Sequence, residues 1–217
     1  MKILFLSIGY LNNLNDRDIY QDLLREFVKK KHEVYVVCQQ GNKNIIDTEF
    51  KEECGVNILR VKIKKITNWN LFEKGLTMLL IEYAYKHAII DYFGGEKFDL
   101  VLYSTPPVTF AGLINFIKKR DKAKSYLMLK DIFPQNAVDL GIFGRNSLFY
   151  FYFRMKEKAL YKTSDFIGCM SDANIKYLLE HNPQIDNGKV GLCPNTLELF
   201  DDGKFTKFER YNIREKY

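Results

Sequence analysis

The chain has 217 residues, of which 47% are hydrophobic and 28% are charged, with a formal net charge of +6. This composition gives one large domain or two small ones around a real hydrophobic core, and it excludes disorder, collagen and coiled coil. No apolar run approaches the roughly 18 charge-free residues that a membrane span needs, because Glu82, Lys86 and Asp91 interrupt the longest one.

The first ten residues contain one Lys and a short apolar run that no cleavage site of small residues follows. A secretory signal needs a longer apolar segment, so the sequence predicts a cytoplasmic protein. Four Cys and three His lie far apart along the chain. Since metal sites usually bring such residues close in sequence, we expect no metal site.

Short apolar runs alternate with helical patterns along most of the chain. The runs lie at 3–8, 33–38, 56–63, 98–104, 125–130, 166–169 and 189–192. The helical patterns lie at 17–31, 70–93, 107–120, 146–162 and 172–181, with a weaker one at 45–53. Most runs are apolar at nearly every position, as in parallel strands that helices cover on both faces. The sequence therefore predicts an α/β fold: a doubly wound, mostly parallel, Rossmann-like sheet of about seven strands.

The run at 56–63 differs from the others because its charges fall on one face. Arg60, Lys62 and Lys64 share that face, while Val61 and Ile63 lie on the other. We place this run near a sheet edge. Its charges either protect the edge from unwanted pairing or face an anion, and the sequence leaves both open.

The character of the chain changes after residue 200. Residues 201–217 are polar and contain no strand-like run. We therefore predict a Rossmann-like domain at 1–200 and a connector at 201–217.

Ligands of open α/β sheets bind beyond the carboxyl ends of the strands, where loops meet helix N-termini. The first such loop, at 9–18, has a single glycine and lacks the G-x-G-x-x-G dinucleotide fingerprint, and the chain has no P-loop motif. NAD and FAD dehydrogenases and P-loop NTPases are thus disfavoured. Asn12, Asn13 and Asn15 in this loop either bind a polar ligand or act as turn formers and caps.

Two further loops present polar groups at strand ends. Ser104 and Thr105 either cap the next helix or open their hydroxyls onto the crevice. Lys130 and Asp131 form a charged pair between an apolar run and Pro134, and they are the best catalytic candidates. Asp131 can accept a hydroxyl proton or position a substrate, and Lys130 can hold a phosphate. The alternative is a local ion pair without an outside partner.

The helix at 146–162 contains six consecutive apolar residues from Leu148 to Phe153. Such a helix either buries more than one face in the protein or lies on a membrane, with rings in the lipid and cations on anionic headgroups. For the second hypothesis the docking residues are Phe149, Phe151, Phe153, Arg154 and Lys156. We predict no nucleic-acid partner, because acidic residues are interspersed with the basic ones and no recognition motif is visible.

Taken together, these features resemble the N-terminal half of a retaining GT-B glycosyltransferase of the large fourth family, in the branch that builds bacterial capsules, O-antigens and exopolysaccharides. The resemblance covers essentially the whole chain. It rests on MKILFLS at the start, K-H-E-V at 31–34, the turn of Leu129, Asp131 and Pro134, Ser171 after the sixth run, and C-P-N-T at 193–196. Residues 213–217 resemble the helix that leads such enzymes into their second domain.

The resemblance implies transfer of a sugar from a nucleotide-sugar donor to a saccharide or polyprenyl-diphosphate-linked acceptor at the inner face of the plasma membrane. An anionic membrane surface is then a further partner. The substrate-binding residues that we assign are Gly9, Asn12, Asn13, Asn15, Ser104, Thr105, Pro134, Ser171, Asn195 and Thr196.

The sequence departs from the family pattern at three places. Only Gly9 stands where paired glycines are usual, and Lys130 with Asp131 stands where many relatives carry a His. No Glu-x7-Glu donor pair is present. The resemblance therefore implies a chain without a cofactor of its own, inactive until joined by a C-terminal donor-binding domain. The alternative is a self-contained, non-catalytic, flavodoxin-like module that binds a carbohydrate or a protein in the same crevice.

Overall fold

The computed structural model describes residues 1–11, 13–41, 47–63 and 71–197, and for 71–79 it describes the helical backbone only. Strands and helices follow one another through these ranges, with a 3₁₀ turn at Asn187–Lys189. They are β1 (Lys2–Leu6), α1 (Ile19–Lys29), β2 (Glu33–Gln39), β3 (Glu49–Glu53), β4 (Val56–Val61), α2 (Leu71–Phe93), β5 (Leu100–Ser104), α3 (Ala111–Asp121), β6 (Lys124–Leu129), α4 (Gln135–Asp139), α5 (Leu148–Thr163), β7 (Phe166–Cys169), α6 (Asp172–His181) and β8 (Val190–Leu192).

The strands form one sheet in the order β3-β4-β2-β1-β5-β6-β7-β8. All pairings are parallel except that of β3 with β4. The predicted doubly wound, mostly parallel sheet is confirmed, with eight strands rather than about seven. Since β2 and β5 flank β1 and the chain continues outward in opposite directions from them, a topological switch point lies between β1 and β5.

Apolar side chains cover both faces of the sheet. On one face, Leu4 of β1 belongs to a buried cluster that includes Ile114 of α3 and Leu160 of α5. On the other face, Ile3 of β1 packs in a second buried cluster with Leu24 of α1. Successive strand side chains point to opposite faces, so a strand covered on both sides has no polar position to spare. This is why the central runs are apolar throughout.

The predicted helices are confirmed within a few residues at α1, α2, α3, α5 and α6. Side-chain oxygens of Asp18, Ser147 and Ser171 accept backbone N–H groups at the starts of α1, α5 and α6, which satisfies donors that a helix leaves free. The five-residue α4 was not predicted, because one turn is too short to show a period. In the described part of the chain, no helix combines the length and the apolarity that crossing a membrane requires.

The weak helix predicted at 45–53 is wrong where the structure describes it. Glu49–Glu53 is instead strand β3, which pairs antiparallel with β4 and forms the edge of the sheet. Its sequence, EFKEE, offers a single apolar residue, and a charged edge strand protects a sheet from pairing with another chain. The prediction that the run at 56–63 lies near a sheet edge is confirmed, because β4 is one strand in from the edge, but the charges that protect the edge belong to β3.

Arg60 of β4 serves neither of the two roles proposed for the charges of its run. Its side chain is buried, and its guanidinium contacts the Glu53 carboxylate at 2.7 and 2.8 Å. It also donates twice to the carbonyl oxygen of Leu11, at 3.0 and 2.9 Å. Arg60 thus ties the loop after β1 to the edge of the sheet. Lys64 lies outside the described residues.

Gly168 of β7 occupies a position where a side chain does not fit. An added Cβ would lie 2.6 Å from Cβ of Cys193 and closer still to the Tyr126 hydroxyl. We expect Gly168→Ala to destabilise the fold by about 1–3 kcal/mol through overpacking, measured as the free energy of unfolding in urea. Gly191 is its neighbour in the register on β8 and has open space around the added Cβ. Gly191→Ala is therefore the matched control, and an equal loss in both variants would contradict the packing explanation.

Candidate functional site

The candidate site is the crevice at the carboxyl ends of the central strands. The loops after β1, β5 and β6 meet there, beside the switch point and the N-terminus of α1. Such crevices bind ligands in open α/β sheets because the strand order leaves a gap between diverging loops.

Thr105 holds the turn that carries the two catalytic candidates. Its side chain is buried, and its Oγ1 accepts the backbone N–H of Lys130 at 3.1 Å and of Asp131 at 3.2 Å. Both lone pairs of this oxygen are then occupied, while its hydroxyl proton stays free to donate. Thr105 therefore positions the Lys130–Asp131 turn across a gap of 25 residues in sequence.

Tyr20, in the first turn of α1, links the end of β5 to the loop after β6. Its hydroxyl donates to Oγ of Ser104 at 2.8 Å, and Nζ of Lys130 lies 4.1 Å from the centre of its ring. Ammonium groups are attracted to the faces of aromatic rings. Ser104 is buried, and its hydroxyl oxygen is engaged in the hydrogen bond from Tyr20. Tyr20 was not among the residues predicted from the sequence, although it lies in the first turn of the helix that follows β1, where ligands of such sheets bind.

Burial shifts the pKa values of Lys130 and Tyr20. Desolvation lowers the pKa of Lys130, and the negative charges of Asp18 and Asp131 partly oppose that shift. Burial likewise raises the pKa of the Tyr20 phenol, which the hydrogen bond to Ser104 partly offsets. The ammonium of Lys130 is therefore partly stripped of water, which strengthens its attraction for an anion that enters the crevice.

Asp131 is exposed at the rim of the crevice. Lys130 and Asp131 form no ion pair with each other, and within the described residues no side chain bonds to the Asp131 carboxylate. The carboxylate is thus open to an incoming hydroxyl. Also within those residues, no three His, Cys, Asp or Glu side chains gather where a metal ion could bind.

The polar residues of the loop after β1 make contacts in different parts of the structure. The backbone N–H of Gly9 donates to Oγ of Ser7 at 3.0 Å, and Gly9 stays exposed near the crevice. Asn13 bonds within its own loop, to the amide of Asn15 and the carboxylate of Asp16. The side chain of Asn15 accepts from Sγ of Cys54, in the turn at the opposite edge of the sheet. The structure therefore does not bring Asn13 and Asn15 to the crevice, and Asn12 lies outside the described residues.

The remaining predicted substrate-binding residues lie along the outer half of the same edge. Ser171 uses its hydroxyl as the cap of α6, where it accepts from the Asn174 amide and donates to the Asn174 side chain at 2.6 Å. Asn195 and Thr196 are exposed after β8. Pro134 is buried at the start of α4. Of these four residues, Asn195 and Thr196 have side chains that face solvent.

Two of the five residues predicted to dock on a membrane are turned into the protein. Phe153 is 5% exposed, and its ring centre lies 4.9 Å from that of Phe133. Arg154 pairs with Glu157 and donates to the carbonyl of His181 at 2.7 Å. The expectation is wrong for this pair, because α5 turns that face toward the sheet and α6. Phe151, in contrast, is 59% exposed. Phe149 is half-buried, and Lys156 lies 5.6 Å from the ring of Tyr152.

The sequence matches no protein-family model, and no curated protein matches it significantly. Solved structures match it by fold. A sucrose-phosphate synthase from Thermosynechococcus elongatus has a TM-score of 0.60 at 13% identity, over 89% of this chain and 47% of that one. The trehalose-6-phosphate protein from E. coli, bound with UDP-2-fluoro glucose, has a TM-score of 0.57 at 9% identity, over 85% and 43%.

A third match is UGT2 from Phytolacca americana, complexed with UDP-2-fluoro-glucose and pterostilbene. Its TM-score is 0.55 at 12% identity, over 92% of this chain and 54% of that one. The chain thus spans about half the length of the solved structures that it matches. Its α/β sheet has the Rossmann-like fold of one half of a GT-B glycosyltransferase.

Proposed function

We propose that this chain is the acceptor-side half of a glycosyltransferase, which transfers a sugar from a nucleotide-sugar donor to a saccharide. The observation that supports the proposal most is the turn of Lys130 and Asp131, which Thr105 holds at the switch-point crevice beside Tyr20. A fold shared with glycosyltransferase halves supports the class of reaction. In this proposal, the nucleotide-sugar donor binds to a second half that faces the crevice.

The crevice residues would act by positioning the acceptor. The carboxylate of Asp131 accepts a hydrogen bond from the acceptor hydroxyl and holds its oxygen in near-attack geometry, which removes orientational freedom before reaction. Lys130 attracts an anionic group of the acceptor, and Tyr20 keeps its ammonium in place. Closure of the two halves excludes water, which would otherwise compete as acceptor.

We propose retention of configuration as the stereochemical outcome. The departing phosphate of the donor then takes the proton of the acceptor hydroxyl on the same face of the sugar. This route needs no strong base from the chain, which fits a site where Asp131 is exposed rather than buried. The support is the resemblance in sequence to retaining enzymes, in MKILFLS, the Leu129-Asp131-Pro134 turn and C-P-N-T at 193–196.

The acceptor in this proposal is a saccharide on polyprenyl diphosphate, used to build a surface polysaccharide from the cytoplasmic side of the membrane. A diphosphate carries the anionic charge that Lys130 would contact. The half-buried ammonium of Lys130, which forms no ion pair with a described residue, is the chemical feature that supports an anionic acceptor over a neutral one.

Titration calorimetry on the 217-residue chain tests the assignment of the acceptor side. We expect measurable binding of a saccharide diphosphate, and only weak binding of UDP- or GDP-sugars, because their site would lie in the other half. Lys130→Gln should weaken diphosphate binding about tenfold, as expected for one charged contact of about 1.4 kcal/mol. Lys176→Gln, an exposed lysine of α6, is the control. A sub-micromolar affinity for a nucleotide sugar would refute the proposal.

A further inference from the structure

The outward face of α5 exposes large apolar side chains in a regular row. Leu148, Phe151 and Met155 are 86%, 59% and 58% exposed. Positions three and four residues apart lie on the same side of a helix, so these side chains form one stripe. The opposite side of α5 carries Phe153 and Leu160, which are buried in the core. The helix is therefore apolar on two sides, of which the protein covers one.

Two further large apolar side chains are exposed in the segment that precedes α5. Leu140 and Ile142 follow α4 and are 75% and 48% exposed. Single exposed apolar residues are ordinary, but several on one short stretch mark an interaction surface. We call Leu140, Ile142, Leu148, Phe151 and Met155 the apolar stripe.

The same face of α5 becomes basic toward its C-terminal end. Lys158 and Lys162 continue the row, and with Lys189 they line a cleft of about 460 Å³. Ala159, Tyr161, Gln184 and Ile185 complete its lining. Nζ of Lys189 is fixed by the carbonyl oxygens of Tyr161 and Ser164, at 2.8 and 3.1 Å. Burial lowers the pKa of Lys189. We call this feature the lysine cleft.

No carboxylate on α5 neutralises the lysine cleft. The acidic residue of this helix, Glu157, is buried and bonds to Arg154 and to the Tyr161 hydroxyl. Within the described residues, Lys158 and Lys162 form no hydrogen bond or ion pair. The outer face of α5 thus combines apolar side chains at one end with the charges of Lys158 and Lys162 at the other, while the negative charges of Asp165 and Asp186 act on Lys189.

We propose that this face docks on an anionic lipid bilayer, with the apolar stripe in the acyl boundary and a lipid phosphate in the lysine cleft. A helix lying in the interface plane buries its apolar side while its cations meet negative headgroups. A second copy of the chain fits less well. If two copies paired through parallel α5 helices, their lysines would lie together and repel. If the two α5 helices were antiparallel, the lysines of each copy would lie against the apolar stripe of the other.

The docking surface adjoins the crevice without depending on what the crevice does. Leu140 and Ile142 are separated from Pro134 only by the short helix α4. A chain docked in this way would hold the rim of the crevice close to the headgroups, within reach of a lipid-linked molecule. The proposal itself needs only α5 and its neighbours, so it can fail while the acceptor-side assignment stands, and the reverse also holds.

Vesicle sedimentation with the 217-residue chain tests the docking. We expect binding to vesicles of phosphatidylcholine with phosphatidylglycerol, and little binding to phosphatidylcholine alone. Phe151→Gln should weaken binding about tenfold, because a ring leaves the acyl boundary. Lys158→Gln with Lys162→Gln should weaken it about 20-fold at low salt and less at high salt.

Two matched controls separate docking from general effects. Phe166→Gln removes a ring that is 48% exposed on the other side of the sheet, and Lys29→Gln with Lys30→Gln removes two charges at the C-terminal end of α1 on that side. Both should bind like the parent, with circular dichroism confirming the fold of every variant. Absence of binding by the parent, or equal losses in the controls, would overturn the proposal. Self-association that Phe151→Gln abolishes without lipid would assign the stripe to a second copy.

Discussion

Asp131→Asn is expected to slow sugar transfer by about 100-fold when the chain works with its proposed donor-binding half, a typical loss for one group that handles or orients a reacting proton. Asparagine keeps the shape of the side chain but loses the charge that orders the acceptor hydroxyl. Since Asp131 is exposed and its side chain bonds to no other described side chain, the free energy of unfolding should change by less than about 0.5 kcal/mol. The measurement is the initial rate of transfer with saturating nucleotide sugar.

The control is Asp172→Asn, which removes an exposed carboxylate at the start of α6. It should leave the rate unchanged. A larger fall in kcat than in the affinity for acceptor would place Asp131 at the transition state, whereas a rise in KM alone would limit it to binding. Transfer by Asp131→Asn at a rate within twofold of the parent would remove Asp131 from the catalytic candidates.

The sequence was sufficient for the sheet because burial on both faces leaves a strong mark. Runs such as 33–38 and 98–104 contain almost no polar residue, and that pattern indicates a covered parallel strand. Strand β3 escaped prediction because it is an edge strand with one apolar residue, Phe50. Charged residues there resemble an exposed helix in sequence, and only the pairing with β4 distinguishes the two.

From the sequence, only those residues of the candidate site that directly follow a strand could be predicted. Lys130 and Asp131 stand out because charges directly follow an apolar strand. Tyr20 does not stand out, since its contacts with Ser104 and Lys130 join residues 84 and 110 positions apart, a distance that only the fold closes. Asn15 shows the opposite error: loop residues near a strand end were expected in the crevice, but the loop places Asn15 beside Cys54, in the turn between β3 and β4.

The sequence also did not show which side of α5 faces the core. Apolar residues occupy six consecutive positions, so the 3.6-residue period does not show which side faces the core. Glu157 settles the phase in the structure, because its buried carboxylate meets Arg154 and Tyr161. Phe153 therefore points inward and Phe151 outward, so the docking surface keeps Phe151 of the residues first assigned to it and loses Phe153 and Arg154.

Arg60→Met is expected to cause the largest loss of stability, about 3 kcal/mol, through the removal of a buried cation whose partners remain. Methionine preserves most of the volume, so the loss reports on charge and hydrogen bonding rather than on a cavity. The Glu53 carboxylate and the Leu11 carbonyl lose the guanidinium that holds them, at 2.7 to 3.0 Å. The measurement is the free energy of unfolding in urea, with the slope unchanged.

The ion pair of Lys51 and Glu49 supplies the matched control on the neighbouring strand. Both charges of that pair reach solvent, so Lys51→Met should change stability by less than about 0.5 kcal/mol. Glu53→Gln should fall between the two, because an amide still accepts from Arg60. Since the Leu11 carbonyl anchors the loop that carries Gly9 into the crevice, Arg60→Met should also hasten proteolysis at 9–16. Full stability in Arg60→Met would show that the hydrophobic replacement compensates for the lost pair, and the loop would then be held by the packing of Leu11 and Leu14 alone.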